Sequence, residues 1–136
     1  MSVELQIEET QNYLAARFTG TGVGEDIWGQ LELIAAHCKR ANKNKLLIDL
    51  WEAHLIGLSV ADRYLFGEKI HAFLDCKLTK VAIVIRPELA DPRRFLELVM
   101  RNRWINARRF TNLGDAENWL SEKRPADVSM AAKAGR

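Results

Sequence analysis

Val81-Ala82-Ile83-Val84-Ile85 is a run of five apolar residues with no polar alternation, and Leu46-Leu47-Ile48 is a shorter run of the same kind. A strand wetted on one face alternates polar with apolar. A continuous run belongs to a strand covered on both faces, as in the middle of a parallel sheet. Parallel neighbours need a crossover between them, and the sequence between the two runs supplies one. Ser59 opens it, with Asp62 three residues on in capping-box spacing, and Ala61, Leu65, Phe66, Ile70, Phe73 and Leu74 give it an apolar stripe.

The flanks extend the same pattern. After the second run, Asp91-Pro92 is a cap followed by proline at a first helical position, and Phe95, Leu98 and Val99 form the buried side of the next helix. Ala107 to Phe110 reads as a last short strand, with Arg108 and Arg109 discouraging edge-to-edge pairing. Ala116, Trp119 and Leu120 mark a final helix, and Ala126 to Arg136 is a small, polar, mobile tail. Upstream, Ile27, Leu31, Ile34, Ala35 and Cys38 draw one stripe down a helix that begins at Glu25 and Asp26 and ends near Lys39, Arg40 and Lys43. Gly29 is discordant in its interior. Before it, Val3, Leu5 and Ile7 alternate with acids and glutamine, Gln11-Asn12 supplies a turn, and Tyr13 to Phe18 returns as the second strand of a hairpin. The cluster Gly20-Thr21-Gly22-Val23-Gly24 is expected to stop that strand. The order predicts an α/β domain: a mixed β-sheet with a parallel centre, built from an N-terminal hairpin and then helix-connected strands, with outer helices. Residues 1–124 are expected to form one domain and residues 125–136 a flexible C-terminal tail.

Composition narrows the function classes. The chain has 136 residues, 48% hydrophobic and 28% charged, enough apolar material for one core. Twenty Lys and Arg against 18 Asp and Glu leave +2, too even a balance to require nucleic acid. No apolar run approaches the roughly 18 residues that span a bilayer. The start, MSVELQIEET, carries acids where a secretory signal carries basic and then apolar residues, so a cytoplasmic protein is expected. Cys38 and Cys76 suggest neither a disulfide framework nor a zinc site.

Three stretches carry a family resemblance: LLIDL (Leu46 to Leu50), Asp62-Arg63-Tyr64 with Gly67-Glu68, and RNRWINARRFTNLGDAENWL (Arg101 to Leu120). Together they resemble the SpoIIAA-like branch of the STAS superfamily, named for sulfate transporters and anti-sigma factor antagonists, over Gly24 to Leu120. The resemblance implies a small α/β domain that works by binding other proteins, with a kinase or an anti-sigma-type regulator as the kind of partner. It also implies a phosphoacceptor serine at the start of the helix after the central strand, which makes Ser59 the candidate. The acidic residue that usually precedes that serine is absent, since Gly57 and Leu58 stand there. The branch is structurally similar to CRAL-TRIO-type lipid carriers as well. That likeness implies an alternative, a carrier or sensor of an apolar small molecule in a cleft under the second helix, Ser59 to Leu74.

The candidate site is local. Trp51-Glu52-Ala53-His54-Leu55-Ile56-Gly57 reads as a loop at the carboxyl end of a central strand, where ligands of open α/β sheets bind. Asp49, Trp51, His54, Leu55, Ser59 and Asp62 are therefore the expected partner- or ligand-binding residues, with Trp51 the natural hot spot. Ser59 equally serves as a plain helix cap, and Trp51 and Leu55 equally serve to roof the core. His54 has no Cys or His at metal spacing, so no metal or other cofactor is expected. The glycine cluster matches no phosphate-binding loop and is followed by Glu25 and Asp26, which a phosphate would oppose. Residues 86–109 carry seven Arg, a weak pointer to nucleic acid. No nucleophile with a base or paired carboxylates stands out, so a non-enzymatic binding domain is the expectation.

Overall fold

The structure is a computed structural model, and it describes residues 3–55, 78–87, 101 and 105–122. Strand β1 (Val3–Glu9) turns into β2 (Leu14–Gly22) through a knot at Thr10. There the Thr10 hydroxyl donates to the Tyr13 carbonyl (2.8 Å) and accepts from the Tyr13 N–H (3.0 Å). Helices α1 (Gly24–Trp28) and α2 (Leu31–Ala41) follow, then β3 (Lys45–Leu55), β4 (Lys80–Val84), β5 (Ala107–Phe110) and helix α3 (Leu113–Ser121). The five strands lie side by side in chain order. The β1–β2 pair is antiparallel, and β2–β3, β3–β4 and β4–β5 are parallel.

The unbroken apolar runs acquire their meaning here. Leu46, Ile48, Val81 and Ile83 point to one side of the sheet, into a core with Phe18, Ile27, Leu31, Ile34 and Cys38. Leu47, Ala82 and Val84 point to the other side, against Ala116, Trp119 and Leu120 of α3. A strand with helices on both faces needs apolar residues at every position, and burying each large one is worth about 1.5–3 kcal/mol. β1 packs on one side only. Val3 is buried, Leu5 and Ile7 are partly so, and Glu4, Gln6 and Glu8 are exposed.

Three expectations need correction. The single helix from Glu25 is two, broken at Gly29-Gln30, although Ile27, Leu31, Ile34, Ala35 and Cys38 still reach one core. The glycine cluster does not stop β2. Gly20, at φ 103°, carries the strand on to Gly22 through a conformation that L side chains rarely adopt. Trp51 to Leu55 are consequently not a loop: they extend β3, and Glu52 to Leu55 pair with the prolonged β2 as far as Gly22 opposite Leu55. The helices expected over residues 59–74 and 92–100 and the C-terminal tail lie outside the described residues.

The termini of α2 and α3 show how local chemistry fixes the layers. Asn42 closes α2 in the left-handed conformation (φ 56°), and the Lys43 N–H reaches back to the Cys38 carbonyl. At α3, the Asn112 side chain accepts the Asp115 N–H at 3.1 Å. Two further contacts tie α3 to the sheet. The Tyr13 hydroxyl donates to Glu117 Oε2 at 2.8 Å, and Lys80 Nζ donates to the Trp119 carbonyl at 2.7 Å while lying 4.9 Å from the centre of that indole. Burial, reinforced by the Glu117 carboxylate, pushes the Tyr13 phenol up to about 12. Burial lowers the Lys80 ammonium, against the opposing pull of Glu122. No described helix is long and apolar enough to cross a membrane.

Candidate functional site

The strands differ in length, and that difference makes a step. Asp49 opposite Val84 is the last pair between β3 and β4, yet β3 runs six residues further, with β2 its one strand partner there among the described residues. The β2–β3 register shifts between Arg17/Asp49 and Thr19/Glu52, so one extra residue of β3 bulges opposite Phe18. The parity of the strand flips there. Leu50 and Ala53 both reach the α1–α2 core, and Asp49 and Glu52 both face the α3 side.

Asp49 is the one buried charged residue among those described, at 5% exposure. Both of its oxygens are occupied. Oδ2 accepts from Arg17 Nε at 3.1 Å, and Oδ1 accepts from the Trp51 N–H at 3.0 Å, which folds the carboxylate back onto the bulge. Beyond Val84 no strand among the described residues pairs with the β4 side of β3, and the Trp51 carbonyl is taken instead by Arg86 Nε at 2.6 Å. The Arg86 guanidinium lies 5.9 Å from the centre of the Trp51 ring. Both backbone groups of Trp51 are thus tied down while its residue remains 37% exposed. A Trp with a fixed backbone and an open side chain contacts another molecule at low entropic cost.

Between this ledge and the start of α3 lies a cleft of about 470 Å³. Arg17, Asp49, Trp51 and Glu52 form its sheet wall, Val84 its floor, and Thr111, Asn112 and Leu113 the opposite wall. Leu113, like Trp51, is an exposed large apolar residue. The cleft stands at the carboxyl ends of β4 and β5, where open α/β sheets receive ligands.

Of the expected site residues, Asp49 and Trp51 come together here. His54 pairs with Thr21 and is exposed further along β3, outside the cleft lining. The Leu55 backbone pairs with Gly22. Ser59 and Asp62, and with them the candidate phosphoacceptor and the expected apolar cleft under residues 59–74, lie outside the described residues. Sequence reasoning missed Arg17, Val84, Arg86 and Leu113. Arg17 had a signal: it is the one charge in an apolar strand, as Asp49 is in LLIDL, and two such charges on neighbouring strands have reason to meet. Three described arginines of the basic segment serve the fold. Arg86 holds Trp51, Arg101 Nε donates to the Ala107 carbonyl at 3.1 Å, and Arg108 stacks 5.3 Å from the centre of Phe110. No cluster of metal-ligating side chains occurs among the described residues.

Comparison with known proteins bears on the fold. No family model matches the sequence, and no curated protein matches it. Solved structures do. An anti-sigma factor antagonist from Mycobacterium paratuberculosis superposes with a TM-score of 0.57 at 17% identity, covering 89% of this chain and 96% of its own. An uncharacterized Shewanella loihica PV-4 protein of the DUF3478 family, with a SpoIIAA-like fold, superposes with a TM-score of 0.53 at 25% identity, covering 88% of this chain and 93% of its own. The chain has an α/β fold, and that fold is SpoIIAA-like.

Proposed function

We propose that the chain is a non-enzymatic regulatory domain that binds a protein partner through the β3 ledge, with Trp51 as the central contact and His54 at its margin. The observation that carries this reading is the Trp51 geometry: N–H fixed by Asp49, carbonyl fixed by Arg86, ring open to solvent. Rigid, exposed aromatic anchors are the residues on which protein interfaces concentrate their affinity. The likeness in fold to an anti-sigma factor antagonist supports the same reading. Phosphorylation of Ser59 would add a switch next in sequence to that surface, and an unchanged affinity in Ser59→Asp and Ser59→Ala would remove it.

The test compares wild-type protein and Trp51→Ala as baits against the proteome of the source cell, then measures any recovered protein directly by titration calorimetry. A partner using this ledge binds Trp51→Ala at least about 30-fold more weakly, the effect of a hot spot near 2 kcal/mol. Equal affinity for the two baits, with both folded by circular dichroism, refutes the assignment of the surface.

A further inference from the structure

We propose that the α3 side of the sheet, where β1, β2 and the extended end of β3 run together, is a docking face for a basic polypeptide segment and continues the Trp51 ledge. The inference rests on the protein-binding reading above and names the chemistry of that partner. Among the described residues α3 is the one helix on this side, and it packs mainly on β3, β4 and β5. Val3, Leu5 and Ile7 turn to the opposite core, so Glu4, Gln6 and Glu8 face the side that α3 leaves open, with Arg17 and Glu52 beside them. Glu4, Glu8 and Glu52 are exposed, and none has an ion-pair partner among the described residues.

Arg17 decides the charge of this face. It stands opposite Gln6, so Glu4 and Glu8 are its diagonal neighbours at about 7–8 Å, within reach of an arginine. Its Nε instead donates to Asp49 Oδ2 on the other flanking strand, and the two charges cancel. Glu4, Glu8 and Glu52 then leave the face negative in a chain whose total is +2. The bordering cations are engaged elsewhere: Arg86 holds the Trp51 carbonyl on the β4 side of the ledge, and Lys45 lies at the far end beside Lys80. The Tyr13 phenol senses the same field, raised first by burial and Glu117 and further by Glu8. Acids on the edge strand β1 also blunt association between sheets, but that account does not reach Glu52, which belongs to an inner strand.

Spacing selects a polymer. Glu4 and Glu52 flank Thr19 from either side, roughly 10 Å apart across β2, and Glu8 lies roughly 16 Å from Glu52 along the diagonal. A single ammonium or guanidinium meets one of these carboxylates. Alternate residues of an extended segment recur on one side about every 7 Å, so lysines or arginines along it engage all three. An apolar residue of the same segment covers Trp51 and Leu113, both exposed, in the adjoining cleft.

The experiment titrates the ¹⁵N-labelled full chain with acetyl-KLKLKL-amide, and separately with acetyl-ELELEL-amide and spermidine, to about 2 mM each in about 20 and 200 mM NaCl, read by ¹⁵N–¹H NMR. The lysine peptide is expected to give saturable shifts at Glu4, Glu8, Glu52 and the Trp51 indole, with an affinity at least about threefold lower in the higher salt. The glutamate peptide is expected to give none. Glu4→Gln, Glu8→Gln and Glu52→Gln, all exposed changes, are each expected to weaken the lysine peptide about two- to fivefold, and the triple variant at least about tenfold. The proposal is overturned by an absence of saturable shifts with the lysine peptide, by shifts mapping elsewhere, by equal binding of the glutamate peptide, or by an unchanged affinity in the triple variant. Spermidine binding as tightly as the lysine peptide overturns the polypeptide assignment, and shifts at the same glutamates that grow with protein concentration alone make a second copy of this chain the occupant and overturn it too. A recovered partner that binds Trp51→Ala weakly and the triple variant as tightly as wild type sinks this inference and leaves the docking ledge standing; the reverse result sinks the ledge and leaves the basic-partner face.

Discussion

The Arg17–Asp49 pair is asymmetric, and the asymmetry predicts an order of stabilities. Asp49 is 5% exposed, whereas the Arg17 side chain is 37% exposed. Arg17→Met strands a carboxylate that is largely shielded from water, leaving it the Trp51 amide as its one hydrogen-bond donor among the described residues. Removing one member of a fully buried pair costs about 3–5 kcal/mol and of an exposed pair at most about 1, so this half-buried case is expected at about 2–3 kcal/mol. Asp49→Asn keeps an oxygen for the Trp51 N–H and releases Arg17 to solvent, for a loss of about 1 kcal/mol. At this chain length about 1 kcal/mol moves Tm by roughly 3–5 °C, which separates the two variants clearly. The double variant Arg17→Met/Asp49→Asn removes the stranded charge and is expected to be more stable than Arg17→Met alone. Urea unfolding at constant slope, supported by thermal melts, measures all three. An Asp49→Asn variant as damaged as Arg17→Met, or a double variant showing the sum of the two losses, refutes the claim that a buried carboxylate organises this ledge.

Two further predictions concern the scaffold. The Tyr13 phenol titrates at about 12 in the folded protein against 10.0 in an unfolded chain, so the folded state holds this proton more tightly. Its contribution to stability is complete below pH 10.0 and is lost as pH rises from there toward about 12. Tyr13→Phe should flatten the decline of stability between about pH 9.5 and 11.5 and remove the latest component of the tyrosinate absorbance rise; an unchanged pH profile contradicts this. At Gly22 an added Cβ would lie 2.8 Å from Val3 Cγ2 and would also strike the Asp26 carboxylate, which accepts the Val23 N–H at 2.9 Å. Gly22→Ala is therefore expected to cost about 1–3 kcal/mol in urea unfolding, and a loss below 0.5 kcal/mol would show that the close approach is easily relieved.

By itself the sequence determined what depends on short-range pattern. The unbroken runs LLI and VAIVI specified strands with apolar neighbours on both faces, because burial leaves no position for a polar side chain. The alternation at Val3, Leu5 and Ile7 specified a strand wet on one side, and the stripe from Ile27 to Cys38 specified one buried helical face even though the helix is broken at Gly29. Glycine misled the reading at Gly20, because a positive φ can extend a strand as well as end one, and only the parallel partner β3 decides which. The ledge was beyond the sequence for the same reason. Trp51 to Leu55 became strand because a distant strand was long enough to pair with them, and the bulge that turns Asp49 and Glu52 to one face arises from a mismatch between two strands. Arg17 and Asp49 are separated by 32 residues, and Arg86 and Trp51 by 35. Such contacts are set by register across the sheet, which no local pattern encodes, and they alone made a cleft out of residues that read singly as strand, loop and helix cap.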